Sequence, residues 1–264
     1  MRRRFAAEGA PLSSSTLTRI DQLLAAAQSG DRESIREVLA EAHAGVHRIA
    51  HALAGEEERA AQVIDAVYRN ALRSLPSWSS WGDPETWFFH QTVQAARRIC
   101  QGRPASDEDL LYTAISIEQR TPAYLAFVRG IRRLPQQQIE AFVLHHGDRL
   151  NERLIGVAMD CSTQAAQTHL KAADATMQPL TGNDWAVLTA MLNQACRRMS
   201  PSPAETDRIV RRYLGAWSGR RTRRRLGKLI LILVVAVGLL LLWPLRGMLH
   251  DSPPPSAPAS QPAK

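Results

Sequence analysis

The sequence lacks the motifs on which much enzyme chemistry depends. It contains no glycine-rich phosphate-binding loop, no Gly-x-Ser-x-Gly nucleophile motif and no His-Glu-x-x-His metal-binding motif. Its three cysteines, Cys100, Cys161 and Cys196, are far apart and match no zinc-binding or redox spacing, so we expect buried, reduced thiols. Strand signals are almost absent. These features favour an all-α protein that is not an enzyme and holds no cofactor.

Excess positive charge is confined to the end of the chain. The chain carries a net charge of +8, from 33 Lys and Arg against 25 Asp and Glu. Eight of the basic residues and one acidic residue lie from residue 219 onward, so that part carries +7 and residues 1–218 carry +1. The pI of about 10.1 therefore reflects the block around 220–225. This block suits anionic lipid headgroups and does not argue for a nucleic-acid surface.

One long apolar run, Leu229–Leu245, contains no charged residue. At about 17 residues it is near the lower limit for a helix that crosses a hydrocarbon core of ~30 Å, and Lys228 and Arg246 can extend it by snorkelling. Apolar side chains occupy every face, which favours a transmembrane helix at 226–246 over a buried core helix. The preceding basic residues predict a single-pass inner-membrane protein whose N-terminal domains lie in the cytoplasm, with membrane lipids as a partner.

The two ends of the chain are predicted to be unfolded. Residues 1–16 are basic but contain no apolar segment, which predicts a flexible N-terminus and not a secretory signal. Residues 247–264 are rich in Pro, Ala and Ser, which predicts a short disordered tail on the extracytoplasmic side.

Helical periodicity covers most of the remaining chain. Gly55 is predicted to end one helix, and Pro84 and Pro122 are predicted to lie in first turns. Two short helices separated by a tight turn at 159–162 indicate a helix-turn-helix. We therefore predict two small helical modules, joined by a polar linker at 104–121 and followed by a juxtamembrane extension at 181–225. The modules span 17–103 and 122–180.

Three histidines, His43, His47 and His51, recur every four residues and share a helix face. Such spacing is compatible with metal ligation. However, no Asp or Glu falls at the supporting positions of that face, so we predict no metal site. The pair His145–His146 is a weaker candidate still.

The order of these segments resembles the sigma-70 family of bacterial RNA polymerase sigma factors, in its small extracytoplasmic-function (ECF) form. "AQSGDRESIREVLAEAHAGVHRIAHALAGEEERAAQVIDAVYRNALRSLPSW" resembles region 2, and "PETWFFHQTVQAARRI" resembles its promoter-facing helix. "IRRLPQQQIEAFVLHH" resembles the opening of region 4, and "IGVAMDCSTQAAQTHL" resembles the helix-turn-helix that contacts the −35 element. The match covers roughly 17–180 and rests on the order and spacing of the motifs.

The resemblance implies binding of RNA polymerase core and promoter DNA. The residues that it assigns to DNA contact lie in two segments: Trp87, Gln91, Arg97 and Arg98 in the region 2 part, and Thr163, Gln164, Gln167, Thr168, His169 and Lys171 in the helix-turn-helix. It assigns Gln62, Asp65 and Arg69 to polymerase-core binding. Glutamine can pair bidentately with adenine, and threonine can contact a thymine methyl group.

Two departures from the family pattern favour an alternative. Arg59, Ala61 and Gln62 stand where acidic residues are usual, so the predicted core-binding helix has lost charge complementarity to a basic partner. The predicted recognition helix contains few basic residues for phosphate contact. The alternative is a degenerate sigma-like domain that acts as a membrane-bound interaction scaffold or a self-inhibited regulator.

The segment 182–218 lies outside the resemblance, and two interpretations of it remain open. Its two amphipathic stretches predict either a linker that rests on the membrane or an intramolecular clamp, comparable to an anti-sigma segment, that covers sigma-like surfaces.

Overall fold

Helices make up the regular secondary structure of the described residues, which in this computed structural model are 14–74, 84–100 and 108–216. The first group is α1 (Ser14–Ser29), α2 (Arg32–Ala54), α3 (Glu57–Arg73) and α4 (Pro84–Ile99). The second group is α5 (Leu110–Thr113), α6 (Pro122–Arg133), α7 (Gln136–Phe142), α8 (Glu152–Met159) and α9 (Thr163–Thr181). Two further helices are α10 (Trp185–Arg198) and α11 (203–216). The all-α prediction is confirmed for these residues.

Local sequence signals set several helix boundaries. The Asp31 carboxylate caps α2 by accepting a hydrogen bond from a first-turn backbone amide at 2.8 Å. Gly55 ends α2 with a φ of 74°, a left-handed conformation that favours glycine. Pro84 and Pro122 begin α4 and α6, as predicted.

The first four helices enclose one part of the core. α2 packs against α1, α3 and α4. Its apolar face buries Ile35, Leu39 and Ile49, and Tyr68 of α3 and Phe88 of α4 are fully buried against them. Burying each side chain of this size contributes about 1.5–3 kcal/mol, so this core holds α3 and α4 in fixed positions.

A tight turn joins α8 to α9, where the helix-turn-helix was predicted. α8 ends at Asp160, which adopts a left-handed conformation with a φ of 61°. The Ser162 hydroxyl then caps α9 by accepting a hydrogen bond from the amide of Ala165 at 3.1 Å. A Cβ at Gly156 would lie 3.0 Å from the carbonyl oxygen of Cys161, so the close approach of turn and helix requires glycine there.

Buried ion pairs and helix packing join the two predicted modules. α4 packs against α8. The Arg132 guanidinium lies 2.8 Å from the Asp109 carboxylate and donates to the carbonyl of Leu53 at 3.3 Å. Arg48 of α2 lies 2.5 Å from Asp148, which follows α7. The described residues up to Leu214 therefore belong to one compact unit.

This packing corrects the prediction of a polar linker at 104–121. The described part of this stretch contains α5 and a 3₁₀ turn, Ile117–Gln119. Asp109 caps α5 by accepting from the amide of Leu111 at 3.0 Å, and the Leu111 side chain is fully buried. The few apolar residues of the stretch thus anchor it, and it does not separate two compact units.

The three cysteines are free thiols, and their burial differs. Cys196 of α10 is buried, as expected, and its burial raises the pKa of the thiol to about 12. Cys100 and Cys161 are half-buried, so the expectation of burial is met only in part. Burial raises the pKa of both these thiols too.

Among the described residues, no helix is both long and apolar enough to cross a membrane. The predicted transmembrane helix at 226–246, the basic block before it and the tail at 247–264 lie outside the described residues. α1 begins at Ser14, inside the stretch 1–16 that was predicted to be flexible, and the rest of that stretch lies outside the described residues.

Candidate functional site

α9 carries all six helix-turn-helix residues that the family resemblance assigns to DNA contact. Five of them are exposed and His169 is half-buried; the exposed residues are Thr163, Gln164, Gln167, Thr168 and Lys171. The opposite face of α9 buries Ala166, Leu170, Ala173 and Met177 in the core. Because residues three, four or seven positions apart share a helix face, α9 presents a polar strip to solvent. We call this strip the α9 polar face.

The α9 polar face carries little positive charge. Lys171 is the one Lys or Arg of α9. Asp174 lies one turn further on, where its carboxylate is 2.8 Å from the ring of His146. The strip can therefore offer amide and hydroxyl groups to base edges, but few contacts to phosphate.

α4 holds the other predicted DNA-contacting residues in different environments. Trp87 is buried, with its ring 5.0 Å from that of Phe88. Gln91 accepts a hydrogen bond from Asn70 at 2.6 Å. Arg98 is exposed. In this arrangement Trp87 belongs to the core, and Arg98 is the most accessible of the four predicted residues on α4.

The fourth predicted residue of α4, Arg97, contacts the second predicted module. Its guanidinium makes a forked contact with the carboxylate of Glu140 on α7, at 2.5–3.0 Å. The Glu140 side chain is fully buried, and Gln136 also donates to it at 3.1 Å. Promoter contact by Arg97 would therefore require the loss of its ion pair with Glu140.

The predicted polymerase-binding residues lie on α3 and differ in accessibility. Gln62 and Arg69 are exposed, whereas Asp65 is half-buried. The Asp65 carboxylate is ion-paired with Arg69 and accepts a hydrogen bond from the Tyr213 hydroxyl of α11 at 3.0 Å. Burial and the Asp65 carboxylate both raise the pKa of Tyr213, which keeps its hydroxyl protonated as a donor.

The extension after α9 packs onto the same unit through both of its helices. In α10, Leu188 and Leu192 are buried, and Asn193 donates to the carbonyl of Gly147 at 2.6 Å. In α11, Val210 and Leu214 are 0% and 2% exposed. These contacts agree with the clamp interpretation as far as packing is concerned. Whether the packing inhibits binding stays a prediction.

Further contacts place α11 beside α2 and α3. The Tyr213 ring centroid lies 4.9 Å from that of buried Tyr68. Arg36 of α2 lies 3.5 Å from Asp207 of α11. The second half of the extension therefore covers the part of α3 that contains Asp65.

The three histidines of α2 lie at the interface with the extension. His47 and His51 stack with ring centroids 3.8 Å apart, and His47 donates to the carbonyl of Met199 at 2.6 Å. Nδ1 of His43 lies 2.5 Å from the Tyr68 hydroxyl, and its Nε2 is buried without a hydrogen-bond partner among the described residues. No group of three or more potential metal ligands occurs in the described part of the chain.

Burial makes His43 and His47 resistant to protonation. It lowers the pKa of His43 from 6.5 to about 4 and that of His47 from 6.5 to about 3, and the nearby His51 adds to both effects. Both are therefore neutral in the folded protein near pH 7. A proton on His43 Nε2 would be a buried donor without an acceptor among the described residues.

We expect stability to fall as the pH is lowered from about 6.5 to about 4. Because the native pKa values lie below 6.5, the unfolded chain binds more protons in this window. Urea unfolding should show a loss of roughly 1–3 kcal/mol attributable to His43. His43→Gln should flatten the pH dependence, whereas His169→Gln on α9 should preserve it. An equal slope in wild type and His43→Gln would contradict this prediction.

Several residues important to these surfaces were not identified from the sequence. Glu140 is a single carboxylate in the predicted apolar segment "QQQIEAFVL", and a charge in such a segment indicates a buried ion pair. Tyr213 lies in the amphipathic stretch "RRYLGAW", where its spacing from Val210 places both on one helix face. Neither pattern identifies the partner residue.

Comparisons of the chain with protein-family models, with curated proteins and with solved structures found no match in any of the three. The described residues form an all-α fold in which α9 exposes a polar face. α11 packs beside α2 and α3 through Asp207 and Tyr213.

Proposed function

We propose that this chain is a membrane-anchored, ECF-like sigma factor that binds RNA polymerase core and promoter DNA, and that the described arrangement is its closed, self-inhibited form. The observation that carries the proposal is the α9 polar face. It places Gln164, Gln167, Thr168 and Lys171 in solvent on the second helix of a helix-turn-helix. Such a helix is the element that enters the major groove in proteins of this type.

The chemistry of the α9 polar face supports recognition of bases. Gln164 and Gln167 are three residues apart, so their amides can contact neighbouring base edges, where glutamine pairs with adenine. Lys171 lies one turn beyond Gln167 and suits a phosphate. The neighbouring α8 does not cover this strip, since Gln164, Gln167 and Lys171 are exposed.

Two contacts support the closed form. The Arg97–Glu140 pair joins α4 to α7, so the predicted promoter-facing helix contacts the second predicted module. The Tyr213–Asp65 hydrogen bond joins α11 to the predicted core-binding helix. In this proposal, polymerase binding requires α11 to leave α3, while the α9 polar face is accessible in either form.

The proposed anchor is the apolar run at 226–246, which follows the arginine-rich block. α11 ends at residue 216, a few residues before that block. Membrane attachment would therefore act directly on the helix that covers α3. An envelope signal or proteolysis near the membrane could then control the opening.

A second candidate function is a membrane-bound interaction scaffold that no longer initiates transcription. It is favoured by the weak charge of the predicted contact surfaces. Residues 1–218 carry a net charge of +1, and Arg59, where an acid is usual, is ion-paired with Glu56. A scaffold of this kind would bind neither promoter DNA nor polymerase core.

Selection of DNA from a random duplex library by the full-length chain in neutral detergent tests the proposal. We expect sequence-selective binding. Gln167→Ala should cost about 1–3 kcal/mol and relax selectivity at one position, whereas Lys171→Ala should weaken all sequences alike and lower the salt slope by about one. Gln178→Ala, at an exposed position near the end of α9, is the matched control and should bind like wild type.

Two outcomes would count against promoter recognition. Binding without sequence selectivity would show that the α9 polar face does not read bases. Absence of DNA binding by the full-length chain would favour the scaffold, because the α9 polar face is exposed in the described arrangement.

A further inference from the structure

A cavity of about 400 Å³ lies between α3 and α4. Three arginines line it: Arg69 and Arg73 from α3 and Arg98 from α4. One carboxylate, that of Asp65, lines it as well. The ionised groups of the lining therefore sum to +2. We call this cavity the arginine pocket.

Two of the three guanidinium groups keep free hydrogen-bond donors. Arg98 makes no hydrogen bond or ion pair within the described part of the chain. Arg73 uses its Nε to donate to the backbone carbonyl of Arg69 at 3.1 Å, so its two terminal nitrogens stay available. Arg69 is held by Asp65, whose other oxygen accepts from Tyr213. Like charges gathered in one cavity repel, and an anion between them removes that repulsion.

In the described part of the lining, the uncharged residues are Ala66, Asn70 and Gln91. Asn70 donates to the Oε1 of Gln91 at 2.6 Å, which ties α3 to α4 within the cavity. The Nε2 group of Gln91 has no partner among the described residues, so it can donate to a ligand. The described lining thus offers guanidinium and amide donors, which suit a ligand with anionic oxygens.

We propose that the arginine pocket binds a small soluble anion that carries two or more phosphate groups. Guanidinium groups bind phosphate through paired hydrogen bonds, and two free guanidinium groups can hold two such groups at once. The volume of about 400 Å³ falls in the range of small-ligand sites. A duplex DNA backbone spreads single phosphodiester charges along a convex rod, whereas the arginines gather their charges around about 400 Å³.

Isothermal titration calorimetry with inorganic diphosphate tests this site. The full-length chain is used in neutral detergent, without divalent metal and at constant ionic strength, with sulfate and a 20-base-pair duplex as comparison probes. We expect diphosphate to bind more tightly than sulfate. Arg73→Gln with Arg98→Gln should weaken it roughly tenfold or more, since two charged contacts are lost.

The matched control removes two equivalent charges elsewhere. Arg153→Gln with Arg208→Gln changes exposed arginines of α8 and α11, and diphosphate affinity should stay within about twofold of wild type. Arg98→Lys keeps the charge but loses the planar fork, so it should weaken binding less than the double variant. If the double variant does not fold, Arg98→Lys alone tests whether the arginine pocket binds diphosphate.

Three results would overturn the proposal. The first is the absence of diphosphate binding at millimolar concentration. The second is an equal loss of affinity in the double variant and the control, which would mean that net charge alone attracts the anion. The third is duplex DNA that binds more tightly than diphosphate and loses this binding in the double variant, which would make the cavity part of a DNA surface.

Discussion

Arg97→Met is expected to lower the free energy of unfolding by about 3–5 kcal/mol, because it leaves the carboxylate of Glu140 buried without its ionic partner. Glu140 is fully buried, and Arg97 contributes three of its four side-chain hydrogen bonds in the described residues. Methionine keeps most of the apolar volume of the arginine side chain, so the loss of unfolding free energy comes chiefly from the missing charge. Urea unfolding followed by circular dichroism measures it.

The adjacent arginine provides the control for this prediction. Arg98 is on the same helix, but it is exposed and has no ion pair in the described residues. Arg98→Met should therefore change the free energy of unfolding by less than about 0.5 kcal/mol. Adding Glu140→Leu to Arg97→Met should recover most of the loss, since an apolar pair can replace a buried ion pair. A similar cost for Arg97→Met and Arg98→Met would show that α4 and α7 do not depend on this contact.

Val210→Asp is expected to release α11 from α3. Val210 is 0% exposed, and an unpaired carboxylate at such a position costs roughly 3 kcal/mol or more. The helix can avoid this cost by leaving the surface, which breaks the Tyr213–Asp65 hydrogen bond, the Tyr213–Tyr68 ring contact and the Arg36–Asp207 ion pair. Amide hydrogen exchange in 203–214 should accelerate about tenfold or more.

Ala204→Asp adds the same charge to an exposed position of α11 and should leave exchange unchanged. Exchange in α3 should change only near Asp65 and Tyr68, which contact Tyr213. If Val210→Asp accelerates exchange throughout 14–216, the substitution unfolds the unit as a whole, and α11 is then part of its core instead of a removable clamp.

The helix boundaries could be predicted because they depend on neighbours in the sequence. The cap at Asp31, the left-handed Gly55 and the first-turn prolines act within a few residues of their own position. The turn of the helix-turn-helix was found for the same reason, since the break in periodicity between α8 and α9 falls at Asp160. Local chemistry is sufficient for such features.

The packing of the two predicted modules could not be predicted, because it depends on pairs that are distant in sequence. Glu140 pairs with Arg97 and Asp109 with Arg132, and a sequence shows the charges without their partners. The polar composition of 104–121 predicted a linker. Two buried apolar residues, Leu111 and Ile115, and the Asp109 pair were enough to fix its described part to the unit.

The candidate site was predicted unevenly for similar reasons. The spacing of Gln164, Gln167 and Lys171 places them on one helix face, and their exposure follows from the apolar residues opposite. The positions of Trp87 and Arg97 depend on which face of α4 meets α8 and α7. Helical spacing alone does not say which face of α4 is buried. The resemblance assigned both residues to DNA contact, but Trp87 lies in the core and Arg97 in an ion pair.

The most direct test of a self-inhibited sigma-like factor is its affinity for RNA polymerase core. This affinity is measured for wild type, Val210→Asp and Ala204→Asp as full-length chains in neutral detergent. If α11 closes the binding surface, the apparent affinity is reduced by the fraction of open chains. We therefore predict that Val210→Asp binds core about tenfold or more tightly than wild type, and that Ala204→Asp binds like wild type. Equal affinity of Val210→Asp and wild type, or no binding by either, would contradict the proposal.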